Sequence, residues 1–287
     1  MTVVAIIAQG MMGAGVGRRL HERGAEVRTL LAGRSAKSAE RARTAGMAPA
    51  ADERALLAGA DFFLAILPPA EAEPLARNLA PTLAALPQKP VYVECNAVSP
   101  QTAIRIGEVV APTGAHFVDA GIIGGPPRAG YNGPAIYASG EHVHEALRLR
   151  DFGIDLRTIG GPVGAASAMK MSYAGITKGT TAIGSAMLSG AARYGCAEAL
   201  VAELAQSQPQ LLNYFRNGIP RMYDKAYRWV AEMQEISDFL DKNPPSRDIY
   251  AAIARLYDHL ATAHAAPDRG PDNLVATLDS VLQHAQK

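Results

Sequence analysis

The chain has 287 residues, a formal net charge of +1 and a hydrophobic share of 48%: long enough for two compact domains, and too nearly neutral for nucleic acid or an anionic membrane to be its main partner. Its two cysteines, Cys95 and Cys196, stand far apart and outside any CxxC or Cys/His cluster, so neither a disulfide framework nor a cysteine-based zinc site is indicated and both read as core thiols. No uninterrupted apolar run reaches the roughly 18 residues of a membrane span, and Met1–Gly17 has no basic leader and is broken by glycines, so a cytoplasmic protein that starts with a strand is expected.

Val3-Val-Ala-Ile-Ile-Ala8 is a continuous apolar run of the kind that forms a strand buried on both faces of a parallel sheet. Gln9-Gly10-Met11-Met12-Gly13-Ala-Gly15-Val-Gly17 follows at once and leads into a helical run through Leu20 and His21. Strand, glycine turn and helix resemble the dinucleotide fingerprint, in which backbone N–H groups and a helix N-terminus approach a pyrophosphate. The match is degenerate: Ala8 stands where the first glycine belongs, which leaves Ala8-x-Gly10-x-x-Gly13 and the alternative of a merely glycine-rich turn.

The next strand, Glu26–Ala32, ends in Gly33-Arg34-Ser35. An acidic residue at this point serves the ribose hydroxyls of NAD, whereas an arginine suits a 2′-phosphate through charge-assisted bonds. Arg34, Ser35 and Lys37 therefore point to NADP, against the alternative of a solvated cationic turn.

Further strands are expected at Ala60–Leu67, closed by Pro68-Pro69, and at Val91–Cys95, with helices over Glu71–Leu79 and Ser99–Val110, the second opening with Ser-Pro at N-cap and N1. His116–Asp119, Ala135–Ala138 and Leu156–Ile159 continue the sheet. The alternation implies an α/β, doubly wound Rossmann-type parallel sheet over residues 1–161. His142 and His144, on alternate residues where a surface helix starts, suggest no metal site.

Gly164-Ala-Ala-Ser-Ala-Met-Lys170-Met-Ser-Tyr-Ala-Gly-Ile-Thr-Lys178-Gly-Thr-Thr181 is rich in small residues, with two cations. At helical spacing Ser167, Lys170, Ala174, Thr177 and Thr181 share one face, so a thin polar line crosses an apolar helix and Lys170 is partly buried. A lysine so placed needs a partner or a task, because desolvation disfavours its charged form; the alternative is a snorkelling side chain at a domain junction. Nothing beyond Gly161 reads as a strand. Residues 162–287 form an all-helical domain with segments at Ala197–Gln206, Gln210–Asn217, Pro220–Leu240, Asp248–His264 and Asp272–His284. Met222, Tyr223, Tyr227, Trp229 and Met233 give one helix many large groups, read as core or subunit interface.

The fingerprint, Leu67-Pro68-Pro69, Asn96-Ala-Val-Ser99-Pro100, Asp119-Ala-Gly-Ile122-Ile123-Gly124-Gly125-Pro126-Pro127 and Gly164-x5-Lys170, in this order, resemble the β-hydroxyacid dehydrogenases related to 6-phosphogluconate dehydrogenase. The resemblance covers the whole chain. It implies a Rossmann-type domain, a long interdomain helix and a helical domain that forms dimers. It also implies Asn96 near the nicotinamide, Lys170 as the catalytic lysine and Asp119–Gly125 as a substrate loop.

Two positions depart from that pattern. Ile123 stands where the family has a serine before the two glycines, and Tyr173 and Ala174 stand where an asparagine follows the lysine; Tyr173 or Thr177 is the candidate to take over its hydrogen bonds. The pocket is then more apolar, as in a divergent branch, with Ile122, Ile123, Gly124, Gly125, Arg128, Ala174 and Thr177 as candidate substrate contacts and Arg128 as a substitute anion contact or a surface charge. Asp119 is read as fixing the loop backbone. The expected activity is hydride transfer between NADP and a hydroxyacid, alcohol or carbonyl substrate, with a ketone or imine reductase of secondary metabolism as the alternative and a catalytically lapsed NADP sensor as the reading of another class. Lys178, eight positions on and about 80° round the helix, is the weaker proton-transfer candidate. A homodimer is expected.

Overall fold

The computed structural model describes residues 1–267, 270 and 272–284. They divide into two compact units, Met1–Met171 and Ser172–Lys287.

The first unit runs β1 (Val3–Ile7), α1 (Met11–Glu22), β2 (Glu26–Leu30), α2 (Ala36–Thr44), β3 (Ala48–Ala50), α3 (Glu53–Leu57), β4 (Phe62–Ala65), α4 (Ala72–Ala85), β5 (Val91–Glu94), α5 (Pro100–Val110), β6 (Phe117–Ile123), β7 (Ala135–Ser139), α6 (Val143–Ala146), β8 (Asp155–Thr158) and the start of α7 (Ala165–Arg193). The strands form one sheet in the order β3-β2-β1-β4-β5-β6-β7-β8. Side chains alternate across it: Val4 and Ile6 of β1 join Val16 and Leu20 of α1 in one core layer, while Val3, Ala5 and Ile7 join Leu79, Leu83 and Ile106 in the other. Helices on both faces are why β1 reads as an unbroken apolar run.

Two features differ from the sequence reading. β3 goes unanticipated because it has three residues, Ala-Pro-Ala, and its Pro49 is tolerated only because this is an edge strand. β7 is antiparallel to β6, with Asp119 opposite Ser139 and Ile123 opposite Ala135. The cause is the connection: residues 124–134 contain no helix, and a parallel return needs a crossover.

The division into units falls inside α7, ten residues beyond Gly161, because the first turns of α7 belong with β6. Asp119, fully buried, receives hydrogen bonds from the backbone N–H of Gly164 (2.9 Å) and Ser167 (3.0 Å), from the Ser167 hydroxyl (2.6 Å) and from the Ser139 hydroxyl (3.1 Å). A strand carboxylate thus caps a helix 45 residues further on, where the helix dipole favours a negative charge. Asp119 therefore secures the start of α7 rather than the loop after β6.

The second unit continues α7 and adds α8 (Ala197–Ser207), α9 (Pro209–Met222), α10 (Ala226–Phe239), α11 (Pro244–Ala265) and α12 (Leu274–His284). The break expected before Pro220 falls instead at Tyr223–Lys225, a single turn of 3₁₀ helix, and Pro220 lies inside α9. Met222, Tyr223 and Met233 are buried, whereas Tyr227 is 65% exposed, so the large side chains of this stretch do not share one environment. The small residues of α7 serve close packing: a Cβ on Gly184 would lie 2.4 Å from the Phe215 ring. Cys95 is buried, but Cys196 is exposed, since it follows the left-handed Gly195 in the turn between α7 and α8. Among the described residues no helix is long and apolar enough to cross a membrane.

Candidate functional site

The glycine turn between β1 and α1 is held from beneath by Gln9. This residue is 1% exposed, and its amide donates to the Leu30 carbonyl (2.8 Å) and to the Thr29 hydroxyl, fastening the turn to the end of β2. Arg41 of α2 donates to the Gln9 carbonyl (3.0 Å) and brings a further cation to the turn. A Cβ on Gly13 would run into the Ala8 carbonyl, so Gly13 is what lets α1 pass this close to β1. At Gly10 a Cβ would meet nothing within 4 Å. Gly10 is the N-cap of α1 and offers no side-chain cap, and the first turn, Met11 and Met12 included, carries no acidic residue. Such a helix start suits an anion.

At the end of β2, Arg34 and Lys37 are exposed. Ser35 caps α2: its hydroxyl accepts from Ser38 N–H (3.2 Å) and pairs with the Ser38 hydroxyl (3.1 Å).

After β5, Asn96 is 3% exposed and its Oδ1 accepts from Leu67 N–H at 2.5 Å, which fixes the orientation of the amide and ties the Leu67-Pro68 turn to it. Asn96 Nδ2, also buried, meets no acceptor among the described residues. An unspent buried donor at the carboxyl edge of the sheet is where a dinucleotide's polar ring would be received. Beneath it, Glu94 Oε1 accepts from Asn96 N–H (3.0 Å), and burial pushes the Glu94 carboxyl up to about 8, countered by the Asn96 hydrogen bonds and reinforced by nearby Asp119.

Lys170 enters this edge through Gly121. A Cβ on Gly121 would sit 2.7 Å from Lys170 Cβ and 3.1 Å from the Ala166 carbonyl, so the bare backbone of β6 lets α7 lie against it and sets the Lys170 stem there. Glu94 pairs with Asp119 across β5 and β6; Asn96 and Gly121 are each two residues further on. The lysine stem and the unspent amide therefore lie at one level of neighbouring chains, on β6 and just past β5.

The remaining candidates are distributed. Ile122 lies in strand and packs in the core, so it is not a loop contact, and Ile123 is the last residue of β6. Gly124, Gly125 and Arg128 are exposed, with the Arg128 guanidinium 5.3 Å over the Tyr131 ring. Sequence reasoning missed Arg19, which donates to the carbonyls of Tyr131 (2.6 Å), Asn132 (2.8 Å) and Gly133 (2.8 Å) and so holds the loop after β6 onto the cofactor helix. In the helical unit Tyr173 is 48% exposed and Ala174 buried. Thr177 donates to the Tyr173 carbonyl (2.9 Å). Thr177 and Lys178 line a cleft of about 510 Å³ with Asn213, Asn217, Arg221 and Trp229. Lys178 is engaged: it pairs with Glu232 and lies 4.8 Å over the Trp229 ring.

The open Gly10 cradle, the uncapped α1 and the unspent Asn96 amide fit a nicotinamide dinucleotide, and together with the sheet they define a Rossmann-type dinucleotide-binding domain followed by a helical domain. The family comparison agrees: residues 3–148, half of the chain, match the NAD binding domain of 6-phosphogluconate dehydrogenase, and this protein belongs to that family. Residues 191–260 match a domain of unknown function, DUF1932. Among solved structures, the chain is 28% identical to a conserved protein of unknown function described as similar to 3-hydroxyacid dehydrogenases (92% of this chain and 99% of that one, TM-score 0.71). It is 19% identical to 3-hydroxyisobutyrate dehydrogenase of Mycobacterium tuberculosis (98% and 99%, TM-score 0.74). An imine reductase of Myxococcus stipitatus bound to NADP+ is 17% identical (100% of each chain, TM-score 0.55). The last two likenesses speak for the fold alone.

Proposed function

We propose that the protein is an NADP-dependent oxidoreductase of hydroxyacid, alcohol or carbonyl substrates in which Lys170 transfers the proton. The observation that carries this reading is the close passage of α7 over Gly121, which sets Lys170 at the level of the unspent Asn96 amide. Gly10, Met11, Met12 and Gly13 would receive the pyrophosphate, Arg34 with Ser35 and Lys37 the 2′-phosphate, and Leu67, Pro68 and Asn96 the nicotinamide end. When bound, the nicotinamide supplies or accepts the hydride. Lys170 donates a proton to the developing alkoxide in reduction and takes the hydroxyl proton in oxidation, so no charge is left on the substrate oxygen. Ile123 and Ala174, in place of hydroxyl and amide groups, favour a second reading, a ketone or imine reductase. A turnover screen with NADPH against keto acids, ketones and imines tests both; absence of turnover in all three classes would leave the sensor reading instead.

The second unit supports a homodimer. Ile176, Ile183 and Met187 of α7 are 69%, 58% and 62% exposed, and their spacings of seven and four residues place them on one helical stripe, an apolar face suited to a second copy. Light scattering of the full chain should give a dimer and Ile183→Asp a monomer; a monomeric parent contradicts this.

A further inference from the structure

We propose that His116, His142 and Glu145 form a binding site for a divalent transition metal ion of the zinc class, at the sheet edge opposite the dinucleotide turn. The antiparallel register of β6 and β7 creates the site. Asp119 pairs with Ser139, and three residues beyond that pair in each direction, just outside the strands, come His116 and His142. Their rings are stacked, with centroids 3.8 Å apart and planes within 1°. Both Nδ1 atoms meet the same oxygen of Glu145, at 2.6 and 3.3 Å, and the ligand atoms of the three residues all lie within 4.8 Å of one another.

Two imidazoles and one carboxylate are a ligand set suited to zinc. A dication would take the place of the contacts that join both rings to Glu145 and would be offset by that carboxylate. Parallel rings do not aim their lone pairs at one point, so binding turns them inward. Their side chains are 50% and 31% exposed and are free of the core. Both histidines line a cleft of about 550 Å³ together with Glu108 and Glu141, which gives an ion an entry path with acidic walls and leaves a coordination position open. The site is independent of the redox reading. A bound ion would tie the turn after β7 to β6, and Gly140 of that turn already bonds the Gly161 carbonyl (3.2 Å) ahead of α7.

Calorimetric titration of the full chain with Zn²⁺, paralleled by Co²⁺ absorption, provides the test. One equivalent should bind, Co²⁺ should develop the visible absorption of a nitrogen- and oxygen-ligated ion, and His116→Ala and His142→Ala should each weaken binding by about tenfold or more. His144→Ala, on the exposed neighbour outside the cluster, should leave it unchanged. No binding by the parent protein, or binding that survives both substitutions in the cluster, would overturn the proposal.

Discussion

Lys170 and Lys178 lie eight residues apart on one helix, and their surroundings divide their roles. The ammonium of Lys178 is held by Glu232 and lies over Trp229, and Tyr257 donates to its backbone carbonyl at 2.6 Å. It is a fastening of the helical unit. The stem of Lys170 instead runs along the bare backbone of Gly121, at the strand ends where Asn96 keeps an unspent amide. The ion pair between helices commits Lys178 to structure, whereas the proposed function gives the chemistry to Lys170.

The helical unit is broken by undoing the structural lysine. Glu232→Ala leaves Lys178 without its carboxylate at a site where the two side chains are 15% and 11% exposed, and should cost roughly 3 kcal/mol of stability in denaturant unfolding. Replacing both partners with apolar residues should recover much of it; a loss below about 0.5 kcal/mol would show that the pair behaves like an exposed one. The cofactor edge is sharpened by Arg34→Asp, which should weaken NADPH binding by roughly 2–4 kcal/mol and NADH much less. Equal weakening of both cofactors would remove the phosphate assignment.

A test by pH concerns Glu94. Its carboxyl is raised from the ordinary 4.5 to about 8 by burial, so the folded state holds a proton that the unfolded chain has released. That contribution to stability is fully present below about pH 4.5 and is lost as pH rises towards 8. Stability should therefore fall across this window in the parent protein and fall less in Glu94→Gln. Equal slopes in the two proteins would show that Glu94 titrates normally.

Much of the cofactor edge is legible in the chain because it is local. Apolar runs mark β1, closed by the glycine turn, and β4, closed by Pro68-Pro69, Ser99-Pro100 marks the start of α5, and the spacing of Gly10 and Gly13 marks the anion turn. What escapes is long-range. Asp119 caps a helix through partners 45 and 48 residues away, Arg41 returns to Gln9, and Arg19 reaches a loop more than 110 residues on. None of these leaves a periodic trace. His116 and His142 meet only because β7 is antiparallel, a direction that a strand-by-strand reading leaves open. The run of small residues around Lys170 is conspicuous in the sequence, but its reason is packing against β6 and α11, which only the fold supplies.

The claim that Lys170 moves the proton is tested most directly by comparing Lys170→Ala and Lys178→Ala on the best substrate of the NADPH screen, with turnover normalised to folded protein and NADPH affinity measured separately. Lys170→Ala should lower turnover by about 100-fold or more while leaving NADPH affinity nearly unchanged, and Lys178→Ala should cost much less. Retention of most activity in Lys170→Ala, with its abolition in Lys178→Ala or Tyr173→Phe, would contradict the account and route the proton through the helical unit.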